Sequence, residues 1–252
     1  MITFNLLGPL EIHVDHRVVE AGEPRRRAIL ASLLIDADRV VSSATLIARV
    51  WGEQAPDRAS KVLASHVSKI RRVLRQVAED DGGSVRIVNM YGGYRLTVDP
   101  ENIDLHRARR LAHEARDQGL DVEQRVTLLR EAFALWRGET FAGIGGDWAD
   151  RTRDRLTIEH LETVVAWADA ELQVNNPTVV LNPITELADE YPLMEDLTVM
   201  MVRALVAMGR PSEALDRCLV HRQRLADKQG TDQCARLRAL YEEILHGQHR
   251  AA

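Results

Sequence analysis

The order of apolar and polar positions divides the chain into two kinds of structure. Near the start, Phe4, Leu6 and Leu7 precede the break Gly8-Pro9. Leu10, Ile12 and Val14 then alternate with Glu11, His13 and Asp15, and Val18 and Val19 begin a third short run. Alternation of period two predicts short antiparallel strands, which must pack on helices to be stable. Pro24 fits a first helical turn, and Ile29, Leu30, Leu33 and Leu34 give that helix a buried stripe ending near Asp36. Val40 and Val41 read as a short extended piece. Ser42 or Ser43 then caps a helix carrying Leu46, Ile47, Val50 and Trp51, and Gly52 ends it. After a loop over 53–57, Leu63, Val67, Ile70, Leu74 and Val77 mark the narrow apolar face of a third helix. A turn over 79–83 leads to strands over 85–88 and 94–98, with Met90-Tyr91-Gly92-Gly93 supplying hairpin chemistry between them. Three helices followed by a hairpin predict a winged helix-turn-helix over residues 1–98, with the third helix as the reading helix.

From Asp104 onward the pattern is helical. It predicts a helix from His106 towards Gln118-Gly119, a second from Val122 to Trp136 and a long third from about Trp148 to Val174. Pro177 and Pro183 are expected to interrupt the next helix, which resumes over 184–191. Helices over 193–208, 212–229 and 232–245 follow. Paired helices with Met208-Gly209-Arg210-Pro211 at one turn predict an all-α, tetratricopeptide-like domain over 99–252, with degenerate repeats.

Charge sharpens the first domain. The 252 residues carry a net charge of −5, yet residues 1–98 hold 14 Lys+Arg against 11 Asp+Glu, while the remainder hold 19 against 27. Between Arg58 and Ala78 there is no acid and there are six Lys or Arg. Lys61, Ser65, Ser68, Arg72 and Arg75 follow the helical rhythm opposite the apolar stripe, with Lys69 beside them. An exposed helix normally mixes both signs, so this face is read as meeting a polyanion. Lys69 or Arg72 could reach guanine O6 and N7, while Arg71 and Arg75 suit backbone phosphates. His66 at the side of the helix is either a phosphate contact or a packing residue. Arg25, Arg26 and Arg27 occupy the end of their helix that the dipole disfavours for cations; phosphate contact and solvated charge are both open readings.

Catalytic chemistry finds little support. There is no Gly-x-x-x-x-Gly-Lys, no His-Glu-x-x-His and no Cys-x-x-Cys. Gly143-Ile144-Gly145-Gly146 lacks a following lysine and reads as a connector. Cys218 and Cys234 are the only cysteines, expected as small packing residues in a reducing cytoplasm. The four tryptophans, Trp51, Trp136, Trp148 and Trp167, read mainly as packing. No run of 18 apolar residues exists, and neither a membrane span, a signal peptide, a metal nor a cofactor is expected.

Several motifs in fixed order carry a family resemblance: Leu7-Gly8-Pro9-Leu10-Glu11, Arg39-Val40-Val41-Ser42, Leu46-Ile47-Ala48-Arg49-Val50-Trp51-Gly52, His66-Val67-Ser68-Lys69-Ile70-Arg71-Arg72, Gly92-Gly93-Tyr94-Arg95-Leu96 and Leu129-Arg130-Glu131-Ala132-Phe133. Together they resemble the SARP (antibiotic regulatory protein) transcription activators over nearly the whole chain, and the first half also resembles response-regulator winged helices. The resemblance implies a winged-helix DNA-binding domain followed by a bacterial transcriptional activation domain. It implies binding to direct repeats in double-stranded promoter DNA of secondary-metabolite (antibiotic) gene clusters, often as a homodimer, with recruitment of RNA polymerase. It places Lys61, Ser65, His66, Ser68, Lys69, Arg71 and Arg72 at the major groove and carries Arg95 over to the wing. Glu53, Gln54, Asp57 and Arg58 fall in the loop that meets polymerase in such domains. The expected protein is therefore a cytoplasmic transcriptional activator and not an enzyme. The competing reading is a helical-repeat adaptor whose basic helix is incidental.

Overall fold

The computed structural model describes residues 2–15, 17–78, 85–229 and 235–251. The turn expected over 79–83 and Cys234 lie outside them. By packing, the chain forms two compact units. The first takes Met1–Glu114 and Glu131–His160; the second takes Ala115–Arg130 and Leu161–Ala252.

In the first unit, β1 (Ile2–Asn5), β2 (Glu11–Val14) and β3 (Arg17–Val19) form an antiparallel sheet in that order. Ile2 pairs with Val14 and Phe4 with Ile12, so the buried members of the alternation share one face. α1 (Pro24–Ile35) has Pro24 in its first turn and is buried continuously from Ala28 to Leu34, as suits a helix enclosed on every side. β4 (Val41–Ser42) leads into α2 (Ser43–Trp51), where the Ser42 hydroxyl accepts from the Thr45 N–H at 3.0 Å as N-cap. α3 (Ala59–Ala78) buries Leu63, Val67, Ile70, Leu74 and Val77. The wing is β5 (Arg86–Met90) and β6 (Gly93–Thr97), with β4 added to the far edge of β6. Tyr91 (φ 48°) and Gly92 (φ 77°) alone form the turn, the two left-handed residues of a type I′ hairpin. At Gly93 an added Cβ would lie 2.2 Å from the Val41 carbonyl oxygen, so β4 approaches only because glycine stands there.

The sheet is tied to later segments. A parallel bridge joins Phe4 to Ile103. Asp104 opens α4 (Asp104–Glu114), and its buried carboxylate accepts from the N–H groups of Leu6 (2.7 and 2.8 Å), Leu7 (2.9 Å) and Leu105 (2.7 Å). The Arg137 and Phe141 N–H groups donate to the carbonyls of Leu7 and Gly8 at 2.7 and 2.9 Å. α5 (Val122–Ala134) and α6 (Asp147–Gln173) each supply residues to both units. In the first unit, His160 stacks on Trp136 with ring centroids 4.4 Å apart.

The second unit contains α7 (Pro177–Glu190), α8 (Glu195–Ala207), α9 (Pro211–Gln229) and α10 (Ala235–Ala251). α8 packs against the other three and is buried without a break from Leu197 to Val202. Glu171 is 1% exposed and is held by Arg130 (2.6 and 2.7 Å), the Trp167 indole N–H (3.0 Å) and the Asn176 amide (3.0 Å). Cys218 is buried with its thiol pushed up to about 11 by burial, as a packing cysteine should be.

Two expectations about α7 are corrected. Pro177 starts the helix at full length, because its missing N–H is not needed in the first turn. Pro183 lies within the helix and does not interrupt it. An interior proline costs ~3 kcal/mol. Val180, Ile184 and Ala188 offset this by burying one face, at ~1.5–3 kcal/mol for each large aliphatic side chain.

Candidate nucleic-acid interface

α3 presents its polar face because its apolar stripe is fully used in the core. Lys61, Ser65, Ser68, Lys69, Arg72 and Arg75 are all exposed. From Lys61 to Arg75 the face spans 15 residues, or ~21 Å over the 14 rises of 1.5 Å between them. Among the described residues, Lys61, Lys69 and Arg72 have no ion-pair partner. That contrasts with Arg109, Arg110, Arg130, Arg137 and Arg153, each within 3.0 Å of a carboxylate oxygen. A cation left unpaired beside two similar ones raises the local positive potential, and the short Ser65 and Ser68 side chains let a large partner come close.

Arg71 is placed differently. Its Nε donates to the Ile87 carbonyl at 3.0 Å, one Nη donates to Asn89 Oδ1 at 2.6 Å, and the guanidinium lies 5.8 Å from the Tyr94 ring centroid. It braces the wing against α3. Among the described residues Arg75 has only a long bond, 3.4 Å from Nε to the Arg71 carbonyl, and remains exposed. His66 is half-buried beside Trp51, ring centroids 6.2 Å apart. Burial is the main cause that holds its imidazole below the usual range, and Lys69, Arg26 and Arg25 add to it against the pull of Glu23. The ring is therefore neutral near pH 7.

Of the three arginines that open α1, only Arg25 is exposed, and its guanidinium lies 5.9 Å from the Trp51 ring centroid. Arg26 pairs with Glu23 at 3.2 Å, and Arg27 donates to the Gly143 carbonyl at 3.2 Å. Arg95 is half-buried in β6 opposite Val88, not at the hairpin tip. The tip belongs to Tyr91, 91% exposed, which the sequence places in the hairpin turn without marking it as a site residue. Its place between the strands was the available signal. Glu53, Gln54, Asp57 and Arg58 are all exposed in the loop between α2 and α3. Among the described residues no group of three His, Cys, Asp or Glu could hold a metal, and no helix is long and apolar enough to cross a membrane.

A helix with three unpaired cations on one face, braced to a hairpin and followed in the chain by packed helical pairs, is an organisation suited to a transcriptional regulator. Comparisons with known proteins agree. Residues 19–96 match the family described as transcriptional regulatory protein, C terminal, and residues 103–245 match the bacterial transcriptional activator domain. The chain is 31% identical to regulatory protein AfsR of Streptomyces griseus, over all of this chain and 25% of that protein. It is 32% identical to transcriptional regulator RedD of Streptomyces coelicolor, over 97% of this chain and 70% of RedD. With regulatory protein DnrI of Streptomyces peucetius it shares 29% identity, over 96% of this chain and 91% of DnrI. Among solved structures it superposes on Mycobacterium tuberculosis EmbR, in complex with a low affinity phosphopeptide, with a TM-score of 0.86 and 29% identity, covering 98% of this chain and 65% of that one. The chain spans about a quarter of the length of AfsR. It belongs to the SARP family of transcriptional activators.

Proposed function

We propose that the chain activates transcription by binding promoter DNA sequence-specifically through α3, and that it does so at a secondary-metabolite gene cluster. The observation that carries this reading is the exposed acid-free face of α3 with its unpaired Lys61, Lys69 and Arg72. In this reading α3 enters the major groove. Lys69 and Arg72 read base edges, Lys61 and Arg75 hold phosphates, and Ser65 and Ser68 allow close approach. Arg71 sets the wing so that Tyr91 and Arg95 lie towards the neighbouring minor groove. His66 and Arg26 serve the packing beneath this face, Arg27 fixes the loop at Gly143, and Arg25 is left at the margin.

Residues 1–98 are the DNA-recognition module and residues 99–252 the activation module. Two copies bind direct repeats, and the loop carrying Glu53, Gln54, Asp57 and Arg58 meets RNA polymerase in the cytoplasm. A gel-shift with promoter DNA over a salt series tests the core of the reading. Two cations on phosphates predict a log–log slope of about −2 per protomer. Absence of binding, or binding that ignores salt, would overturn it.

A further inference from the structure

At the margin of the α3 face, the first unit contains a cleft of about 530 Å³ between the starts of α1 and α6 and the end of α2. Its size suits a small molecule. Two tryptophans, Trp51 and Trp148, line it, and each carries a guanidinium close to its ring: Arg25 at 5.9 Å from Trp51 and Arg49 at 5.5 Å from Trp148. Arg151 completes the cationic wall. A second cavity of about 220 Å³ shares Arg49, Trp148 and Arg151 and extends the cleft.

These groups are not equivalent. Arg49 is engaged by Asp36 at 2.6 Å and by the Ser32 hydroxyl at 2.8 Å. Arg25 and Arg151 are exposed and, among the described residues, have no ion-pair partner. Two guanidiniums are thus available for an anion, while the third is fixed as a flat surface over Trp148. Glu53 and Asp147 also line the cleft and can accept hydrogen bonds from hydroxyl groups. Ordinary packing accounts for the burial of Trp51 and for the stacking of Trp148 on Phe141 at 6.0 Å. It does not account for an open space bordered by both indoles with unpaired arginines above it.

We propose that this cleft binds a planar aromatic anion, a fused-ring carboxylate or phenolate that also carries hydroxyls. The ring plane lies against the Trp–Arg layers, where stacking and cation–π attraction act together. The charged oxygens meet Arg151 and Arg25, whose fork geometry suits a carboxylate. This assignment stands apart from the DNA reading and would survive its failure.

Isothermal titration of the full chain with 3-hydroxy-2-naphthoate tests it. The expected result is saturable binding at one site per chain. The neutral 3-hydroxy-2-naphthamide, which lacks the charge, and cyclohexanecarboxylate, which lacks the rings, should each bind at least tenfold more weakly. Arg151→Glu changes an exposed residue and should weaken the naphthoate at least tenfold without altering the circular dichroism spectrum. Trp148→Leu should do the same where it folds. No saturable heat, equal binding of cyclohexanecarboxylate, or undiminished binding by Arg151→Glu overturns the assignment.

Discussion

Asp104 offers the sharpest test of how the first unit is held together. Its carboxylate is buried and accepts from the N–H groups of Leu6, Leu7 and Leu105, with Arg137 at 3.8 Å. Asp104→Asn keeps the shape but turns one acceptor oxygen into an NH2 donor. The bonds at Leu6 and Leu7 draw on both oxygens, so at least one buried N–H then faces another donor. An unsatisfied buried group costs ~1–3 kcal/mol and a lost charge-assisted bond adds to it; the variant should lose about 2–4 kcal/mol in urea unfolding. The pH dependence is a second reading of the same site. Burial pushes the Asp104 carboxyl up to about 6, against the pull of the three N–H donors and Arg137. In the unfolded chain it ionises near ~3.9. The folded state therefore binds more protons between these values, so this group favours folding at low pH and loses that contribution as pH rises through about 6. From pH 7.5 to pH 5 the wild type should gain about 1.4 kcal/mol relative to Asp104→Asn, a comparison that cancels every other titrating group. A loss under about 1 kcal/mol at pH 7.5, or a wild type that weakens relative to the variant on acidification, would refute this account. The second outcome would mean that the N–H donors, not burial, set the protonation of Asp104.

Other consequences can be checked separately. Lys69→Ala or Arg72→Ala should cost ~1–3 kcal/mol on the operator and blur sequence preference, whereas Arg75→Ala should weaken all DNA alike and reduce the salt slope by about 1; equal losses on specific and random DNA for the first two would remove them from base reading. Arg71→Met should loosen the wing through its contacts to Ile87 and Asn89, seen as faster amide exchange in β5, and should lower DNA affinity with little change in salt slope. Burial depresses the His160 imidazole to about 4, so its contribution is present above the unfolded value of ~6.5 and falls as pH drops through that range. His160→Phe should remove about 1–2 kcal/mol of the stability lost between pH 7.5 and 5, measured by thermal or urea unfolding, and an unchanged acid sensitivity would count against it.

Most of the architecture was legible because the apolar periods were unambiguous. The stripe from Leu63 to Val77 and the alternation from Leu10 to Val14 each admit one secondary structure, and both formed as read. Pro183 does not break α7 because the tertiary burial of Val180 and Ile184, which local backbone preference does not contain, outweighs its cost. Within the candidate site, sequence spacing showed which side chains share the face of α3 but not what lies beside it. Arg71 and Arg72 are neighbours of identical chemistry, yet one reaches Ile87 and Asn89 and the other is unpaired. That distinction depends on the wing, 16 to 18 residues further on. The triplet Arg25, Arg26 and Arg27 divides for the same reason, since Arg27 finds its acceptor at Gly143, 116 positions away.

The ties between the first strand and residues 103–141 also bear on how the protein is made. During synthesis the winged helix leaves the ribosome before the segments that tie down its first sheet. The N–H groups of Leu6 and Leu7 wait for Asp104, and the carbonyls of Leu7 and Gly8 wait for Arg137 and Phe141. These ties can close only once more than a third again of the winged helix's own length has been translated. A nascent chain halted before that point would carry its first sheet without the carboxylate and backbone partners that fix Leu6, Leu7 and Gly8 in the full chain.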